Sequence, residues 1–271
     1  MCNWFLASVR ADEAHFRIVR AARAAHDERN VTKTIRAVEL GGIELDEEIP
    51  AVIGSREILT ETRDQTERGA GTCVGRIVTG AAVRIIRISD DPIDRWTDDL
   101  VSPQGSIGEI VVKGAVVTRE YLTGQSANRL AKIHDGDDVW HRMGDVGYFD
   151  EQSRLWFCGR KAHRVVTEIG TLFTEQCEAI FNNHAAVSRC ALVGIGLLSF
   201  QKPAICIELN PSLPRTTKDS LYRELRDLAK RHSFTEPIFD FLIHPAFPVD
   251  IRHNAKIFRE KLAVWAAEQL L

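Results

Sequence analysis

The chain has 271 residues, 44% hydrophobic and 27% charged, with a formal net charge of −3. That length fits one or two domains of ~150 residues with real cores, and the near-balanced charge argues against a nucleic-acid or acidic-membrane partner. No run approaches the ~18 apolar residues of a transmembrane helix, and the apolar stretch at Trp4 to Ala7 is too short, with no basic lead or cleavage pattern, for a signal peptide.

Residues 10–40 are expected to form a helix, because Phe16, Val19, Ala22 and Ala25 recur at three-residue spacing among charged side chains. Gly41 and Gly42 stop that pattern. Residues 43–70 read as polar and irregular. The runs Val83 to Ile88 and Gly108 to Gly114 are β-branched and bounded by turn formers, so both predict strands, with a loop from Asp90 to Pro103 between them. Arg154 to Cys158 and Val165-Val166 predict further short strands.

Beyond residue 160 strands and helices alternate. Helices are expected at Glu175 to Asn183, Lys218 to His232 and Phe258 to Leu271, and strands at Ala191 to Gly194, Ala204 to Leu209 and Phe239 to Ile243. Asn210 to Pro214 reads as a turn. Leu221, Leu225 and Leu228 give the second helix an inward apolar stripe. The fold class is therefore α+β: a strand-rich subdomain, then a compact two-layer unit. The boundary falls at Gly159-Arg160-Lys161-Ala162. The expected domains are a helical extension at 1–50, a strand-rich unit at 51–158 and an alternating unit at 160–271.

Cys2, Cys73, Cys158, Cys177, Cys190 and Cys206 show no C-x-x-C pair and no accompanying His cluster, so no metal site is expected. They read as buried thiols of a reducing cytoplasm rather than as a nucleophile.

Three residues could carry chemistry. Asp145 lies between Gly144 and Gly147, which reads as a tight turn. An aspartate there can bond its own backbone, or it can accept both hydroxyls of a ribose, since an ionised carboxylate is all acceptor. Arg160 follows the strand ending at Cys158. It is a surface ion-pair partner, or a planar cation for ribose oxygen or phosphate. Lys256 lies among Arg252, Arg259 and Lys261. It is a solvated helix start, or a mobile point charge for a carboxylate and an α-phosphate as they react, a contact worth roughly 10²–10³ in rate. The glycines of Gly69 to Gly75 lack the Lys and Ser/Thr of a phosphate loop and read as a turn into the strand near Val83.

In order and spacing these blocks resemble the acyl-adenylate-forming ligases, the family of acyl-CoA synthetases, peptide-synthetase adenylation domains and luciferases. Gly108 to Gly114 with Val117 to Tyr121 resembles the family's strand motif. Gly144-Asp145 is similar to its ribose-binding aspartate, and Gly159-Arg160 to the arginine beside its hinge. Glu178 to Val187, then Ala191 to Gly194, resemble the first helix and strand of its C-terminal lid, and Asn254-Ala255-Lys256-Ile257 the segment bearing its catalytic lysine. The resemblance spans about residues 52–271.

Within the family, His141 to Asp145, Leu155 to Lys161 and Phe247 to Lys256 resemble the β-lactone synthetases of bacterial olefin biosynthesis. The resemblance implies a distorted-barrel subdomain followed by a lid, with ATP and Mg²⁺ as cofactors. It also implies a long-chain β-hydroxy acid as substrate, nucleotide held by Asp145 and Arg160, and catalysis assisted by Lys256.

The chain departs from the pattern at Ala255, where the family has Gly, and at Ala162, where its hinge residue is charged. The Ser/Thr/Gly phosphate loop and the aromatic-Gly-x-Thr-Glu motif are absent, although Glu47 could align with the family's magnesium-binding glutamate. These departures imply a truncated frame. Three expectations follow: a ligase, a non-catalytic nucleotide-binding or interaction remnant (or a long-chain acyl-CoA ligase-like protein), or a component needing another chain's phosphate loop. The loss of a large neighbour implies an exposed apolar face and a homo-oligomer.

Overall fold

In the computed structural model the described residues are 51–114, 117–118, 125–212, 217–250 and 256–270. The helix expected at 10–40, the rest of the 1–50 extension with Cys2 and Glu47, and Ala255 lie outside them. The described chain forms two units, one of residues 51–63 and 72–161, the other of 64–71 and 162–270. The class is α+β, as the sequence leads one to expect.

The first unit is built on a seven-stranded antiparallel sheet. Its strands are β1 (Ala51–Val52), β2 (Thr72–Ile77), β3 (Ala81–Ile86), β4 (Gly108–Gly114), β5 (Lys132–Asp135), β6 (Asp138–Phe149) and β7 (Leu155–Arg160). Their order is β1-β2-β7-β6-β4-β3, with β5 also paired to β6. Val83, Ile85, Ile110, Val112, Leu155 and Phe157 bury one face. Ile86, Val111, Ile133 and Trp140 bury the other, covered by Ile93, Trp96 and Leu100. A sheet buried on both sides needs consecutive apolar residues rather than alternation, which is why Ile85-Ile86 and Ile110-Val111-Val112 run unbroken. The segment expected as a plain loop at 90–103 is thus part of the core, with Trp96 stacked on Trp140 at 4.5 Å between ring centres.

Residues 55–67 correct the expectation of irregular chain. They form α1 (Ser55–Glu57), a π-helical turn (Ile58–Thr62) and α2 (Arg63–Glu67). Thr62 is the one buried residue across these three pieces, so no apolar stripe marks the helix in the sequence. Ion pairs of the first unit hold its first part instead: Arg76 to Glu57 at 2.9 Å and Arg154 to Glu61 at 3.1 Å.

In the second unit, β8 (Val165–Thr167) and β9 (Gly170–Leu172) form a hairpin, and β10 (Val187–Ile195), β11 (Lys202–Leu209) and β12 (Asp240–Ile243) form a sheet. Strand β10 is antiparallel to β11, and β12 is parallel to it. Helices α4 (Thr174–Asn182) and α5 (Lys218–Ala229) cover one face, burying Cys177, Phe181, Leu221 and Leu225 against Leu192, Ile205, Ile207 and Phe241. Helix α6 (Arg259–Leu270) covers the other face, where Leu262 and Ala266 meet Ala191, Val193, Ala204 and Cys206. The unit therefore has three layers, not the two expected. Alanines and a cysteine on the second face let α6 approach closely, and small residues leave little hydrophobic signal to read. The remaining helix, α3 (Gln125–Ala131), precedes β5.

Leu225 is fully buried and Val264 is 62% exposed. Leu225→Ala should therefore cost about 2–5 kcal/mol through the cavity it leaves. Val264→Ala should stay within about 0.5 kcal/mol. Urea unfolding followed by circular dichroism checks both.

Candidate functional site

In the first unit the candidate site lies on β6 and β7. Asp145 stands directly opposite Arg160 in the antiparallel register. The guanidinium Nη1 lies 3.0 Å from the carboxylate Oδ1, with the aspartate side chain 8% exposed and the arginine 27%. Asp145 is thus on a strand, not in the tight turn expected. Its glycines explain the misreading. Gly144 adopts a left-handed φ of 71° within the strand. A Cβ on Gly147 would sit 2.2 Å from the Trp156 carbonyl oxygen, so only glycine lets β7 come this close. The register slips between Val146 and Gly147, a bulge of the kind that re-aims side chains.

A buried ionic network fastens both strands. Arg142 on β6 donates from Nε to Glu109 Oε1 at 3.1 Å and from Nη2 to Oε2 at 2.7 Å. Its Nη1 also donates to the Asp91 carbonyl at 2.8 Å. Lys161, the residue after Arg160, reaches Glu109 Oε1 at 3.0 Å and donates to the Ser89 carbonyl at 2.8 Å. The Glu109 and Arg142 side chains are each 1% exposed. Sequence reasoning missed this network, although a glutamate inside the run Gly108 to Gly114 was a signal: buried charges are rare unless paired.

The far end of the β6–β7 pair is closed by Asp150, which accepts from the Arg154 amide at 2.8 Å, Arg154 Nε at 2.7 Å and the Trp156 indole at 2.8 Å. Burial works against its ionisation, but these donors hold the carboxyl below its ordinary 3.8. At the near end, His141 pairs in register with Lys132. Burial, aided by the Lys132 charge, pushes the imidazole down to about 4, while its bond to the Ala131 carbonyl opposes the shift.

Lys256 belongs to the second unit. It is half-buried and lies just ahead of α6, where its carbonyl accepts from the Asp250 amide at 3.0 Å and Ile257 bridges Val249. The structure thus brings Asp145 and Arg160 together, and carries Lys256 on separate elements. The glycines at 69–75 have packing reasons. A Cβ on Gly69 would meet the Phe234 ring at 2.4 Å, and one on Gly75 the Val52 carbonyl oxygen at 2.0 Å. The strand they lead into starts at Thr72 rather than near Val83. Burial raises the Cys73 thiol to about 11 and Cys206 to about 12, the condition of inert rather than nucleophilic thiols. Among the described residues no three His, Cys, Asp or Glu side chains gather as a metal site, and no helix is long and apolar enough to cross a membrane.

No family model matches the chain. It is 50% identical over 226 residues to an olefin β-lactone synthetase of Xanthomonas campestris pv. campestris, covering 82% of this chain and 41% of that protein. A second olefin β-lactone synthetase, from Stenotrophomonas maltophilia, is 50% identical over 225 residues, 81% of this chain and 40% of its own length. The chain thus spans about two fifths of the length of these two relatives. Among solved structures, an o-succinylbenzoate CoA synthetase from Bacillus subtilis bound to its acyl-adenylate intermediate aligns with a TM-score of 0.58 and 21% identity, over 79% of this chain and 38% of that one. That likeness shows a shared fold.

The His141 shift makes a pH prediction. The folded imidazole titrates near 4 and the unfolded one near 6.5, so between those values the unfolded chain binds more protons and folding weakens as pH falls. The contribution is fully present above pH 6.5 and lost below 4. Urea midpoints measured from pH 7.5 to 4.5 should fall, and His141→Gln should flatten that part of the profile.

Proposed function

Because this chain belongs to the acyl-adenylate-forming ligase family, similar to the C-terminal portion of the olefin β-lactone synthetases, we propose that it carries the nucleotide-holding part of an ATP-dependent, acid-activating enzyme. The single observation that carries this reading is Asp145 opposite Arg160 on adjoining strands. The carboxylate offers acceptors for the two ribose hydroxyls, and the guanidinium offers donors for ribose oxygen or phosphate. Lys256 supplies positive charge to the carboxylate and α-phosphate as they react. Magnesium enters as an ion carried by the ATP phosphates, and it neutralises their charge.

The substrate in this reading is a long-chain β-hydroxy acid. Its carboxylate oxygen bonds to the α-phosphorus as the bond to pyrophosphate breaks. The β-hydroxyl then attacks the acyl carbon and loses its proton, releasing AMP and a four-membered lactone. Residues 51–158 would close the nucleotide-binding domain, and 160–271 would form a lid. The protein would work in the cytoplasm.

In a second reading the same Asp145–Arg160 pair holds nucleotide without turnover by this chain alone. There the chain binds nucleotide but turns over only when phosphate-holding groups come from elsewhere, because transfer needs the carboxylate and α-phosphate held in line. Exposed apolar residues of the first unit, Val52 at 57% and Leu59 at 39%, support a homo-oligomer in either case.

Titration calorimetry should find AMP binding that weakens about tenfold or more in Asp145→Ala, the size expected for losing hydrogen bonds to a charged group. No binding, or binding indifferent to that change, overturns the proposal. With ATP, Mg²⁺ and a long-chain β-hydroxy acid, the chain alone should release little AMP. Sustained release abolished by Lys256→Ala would favour turnover by this chain.

A further inference from the structure

Ahead of α6, residues 247–250 form an outgoing limb and 256–258 a returning limb, bridged antiparallel at Val249 and Ile257, and Lys256 sits on the returning one. Three contacts close the neck. The Asp250 amide donates to the Lys256 carbonyl at 3.0 Å, the Phe258 amide donates to the Pro248 carbonyl at 2.8 Å, and Val249 bridges Ile257. A carboxylate fastens each foot. On the outgoing limb Glu208 accepts from the Phe247 amide, and Arg189 holds Glu208 through Nη2 at 2.9 Å. On the returning limb Arg259 grips Glu178 of α4 in a two-point fork, Nη1 to Oε1 at 2.6 Å and Nη2 to Oε2 at 3.0 Å. The same Nη1 donates to the Leu192 carbonyl at 3.1 Å, and Glu178 accepts from the Leu192 amide at 2.8 Å. Helix, strand and returning limb are thereby joined at one point, three residues after Lys256.

We propose that Glu178 and Arg259 are positioning residues for Lys256, acting as a buried clamp that fixes the stretch from Lys256 into α6. This rests on the reading of Lys256 as the lysine that meets the reacting groups. Two physical arguments separate the clamp from simple ballast. Helix α6 is already anchored by Leu262 and Ala266, both fully buried. A buried ion pair is also a poor way to add stability, since apolar residues of equal volume often do as well. What the fork adds is direction, because two parallel bonds from a planar cation leave its carboxylate partner one orientation. Glu178 has its side chain 7% exposed and Arg259 15%. Burial pushes the Glu178 carboxyl above the ordinary range, against the pull of the Arg259 charge. A charge kept under that penalty is consistent with a geometric task, since a limb free by an ångström can cost about 10²-fold in rate.

The test replaces both partners together, Glu178→Gln with Arg259→Met, so that no lone charge is left buried. Hydrogen exchange is read at the Asp250 and Phe258 amides, with Ile205 and Cys206 in β11 as the internal standard. The expected result is an unchanged thermal midpoint, about tenfold faster exchange at the two neck amides and unchanged exchange in β11. Should that pair not fold, Arg259→Lys keeps the cation without the fork and should give a smaller acceleration at the same amides. Neck amides that exchange as in the unaltered chain, in whichever variant folds, overturn the clamp. A lysine-acylating acyl phosphate of ATP provides the second readout, by mass spectrometry of Lys256 against exposed Lys202. Labelling of Lys256 should drop about tenfold in the double variant. If Lys256 is never labelled in the unaltered chain, the nucleotide reading fails, while the exchange data still judge the clamp.

Discussion

The pairing of β6 with β7 across Gly147 is the constraint on which the candidate site depends. Asp145 and Arg160 face each other because the two backbones hydrogen-bond in one register, and that register exists because the residue against the Trp156 carbonyl has no side chain. A slip of β7 by one residue would send Arg160 to the opposite face of the sheet from Asp145. The Asp145–Arg160 contact itself contributes little, since a pair with one partner 27% exposed is worth about 0–1 kcal/mol at most. Its value is geometric: acceptor and donor groups are presented side by side on rigid strands rather than on a mobile loop.

Each unit carries a glutamate–arginine fork, and each fork stands close to a residue of proposed function. Glu109 on β4 and Arg142 on β6 form one fork, and Glu109 also holds Lys161 next to Arg160. Glu178 on α4 meets Arg259 at the start of α6, three residues after Lys256. In both, the carboxylate reaches a second element as well as its arginine, so desolvation is offset by several charge-assisted bonds rather than by one. Breaking either fork by removing one partner would leave a buried charge uncompensated, which is far costlier than never having built the pair.

Three of the places where the sequence misled have a clear physical reason. Gly144 and Gly147 look like a turn, because a glycine that permits a left-handed φ and one that permits close strand approach are the same letter. Residues 55–67 look irregular, because their helix is held by ion pairs to other elements rather than by an apolar stripe of its own. The second unit looks two-layered, because the face that receives α6 is lined by Ala191, Ala204 and Cys206, whose small size suits contact but hardly registers as hydrophobic patterning.

What the sequence settled alone is the α+β class, the β-branched strands of both sheets, and a set of short blocks whose order resembles the adenylate-forming ligases. Those features are local or strung along the chain, so spacing and side-chain type suffice to read them. Tertiary structure alone decided that Asp145 sits opposite Arg160, that Glu109, Arg142 and Lys161 share one buried network, and that Glu178 meets Arg259 across 81 positions of chain. Partners so far apart leave no periodicity in the sequence. They are chosen only when strands pair and helices pack, because burial is what forces each charge to find another.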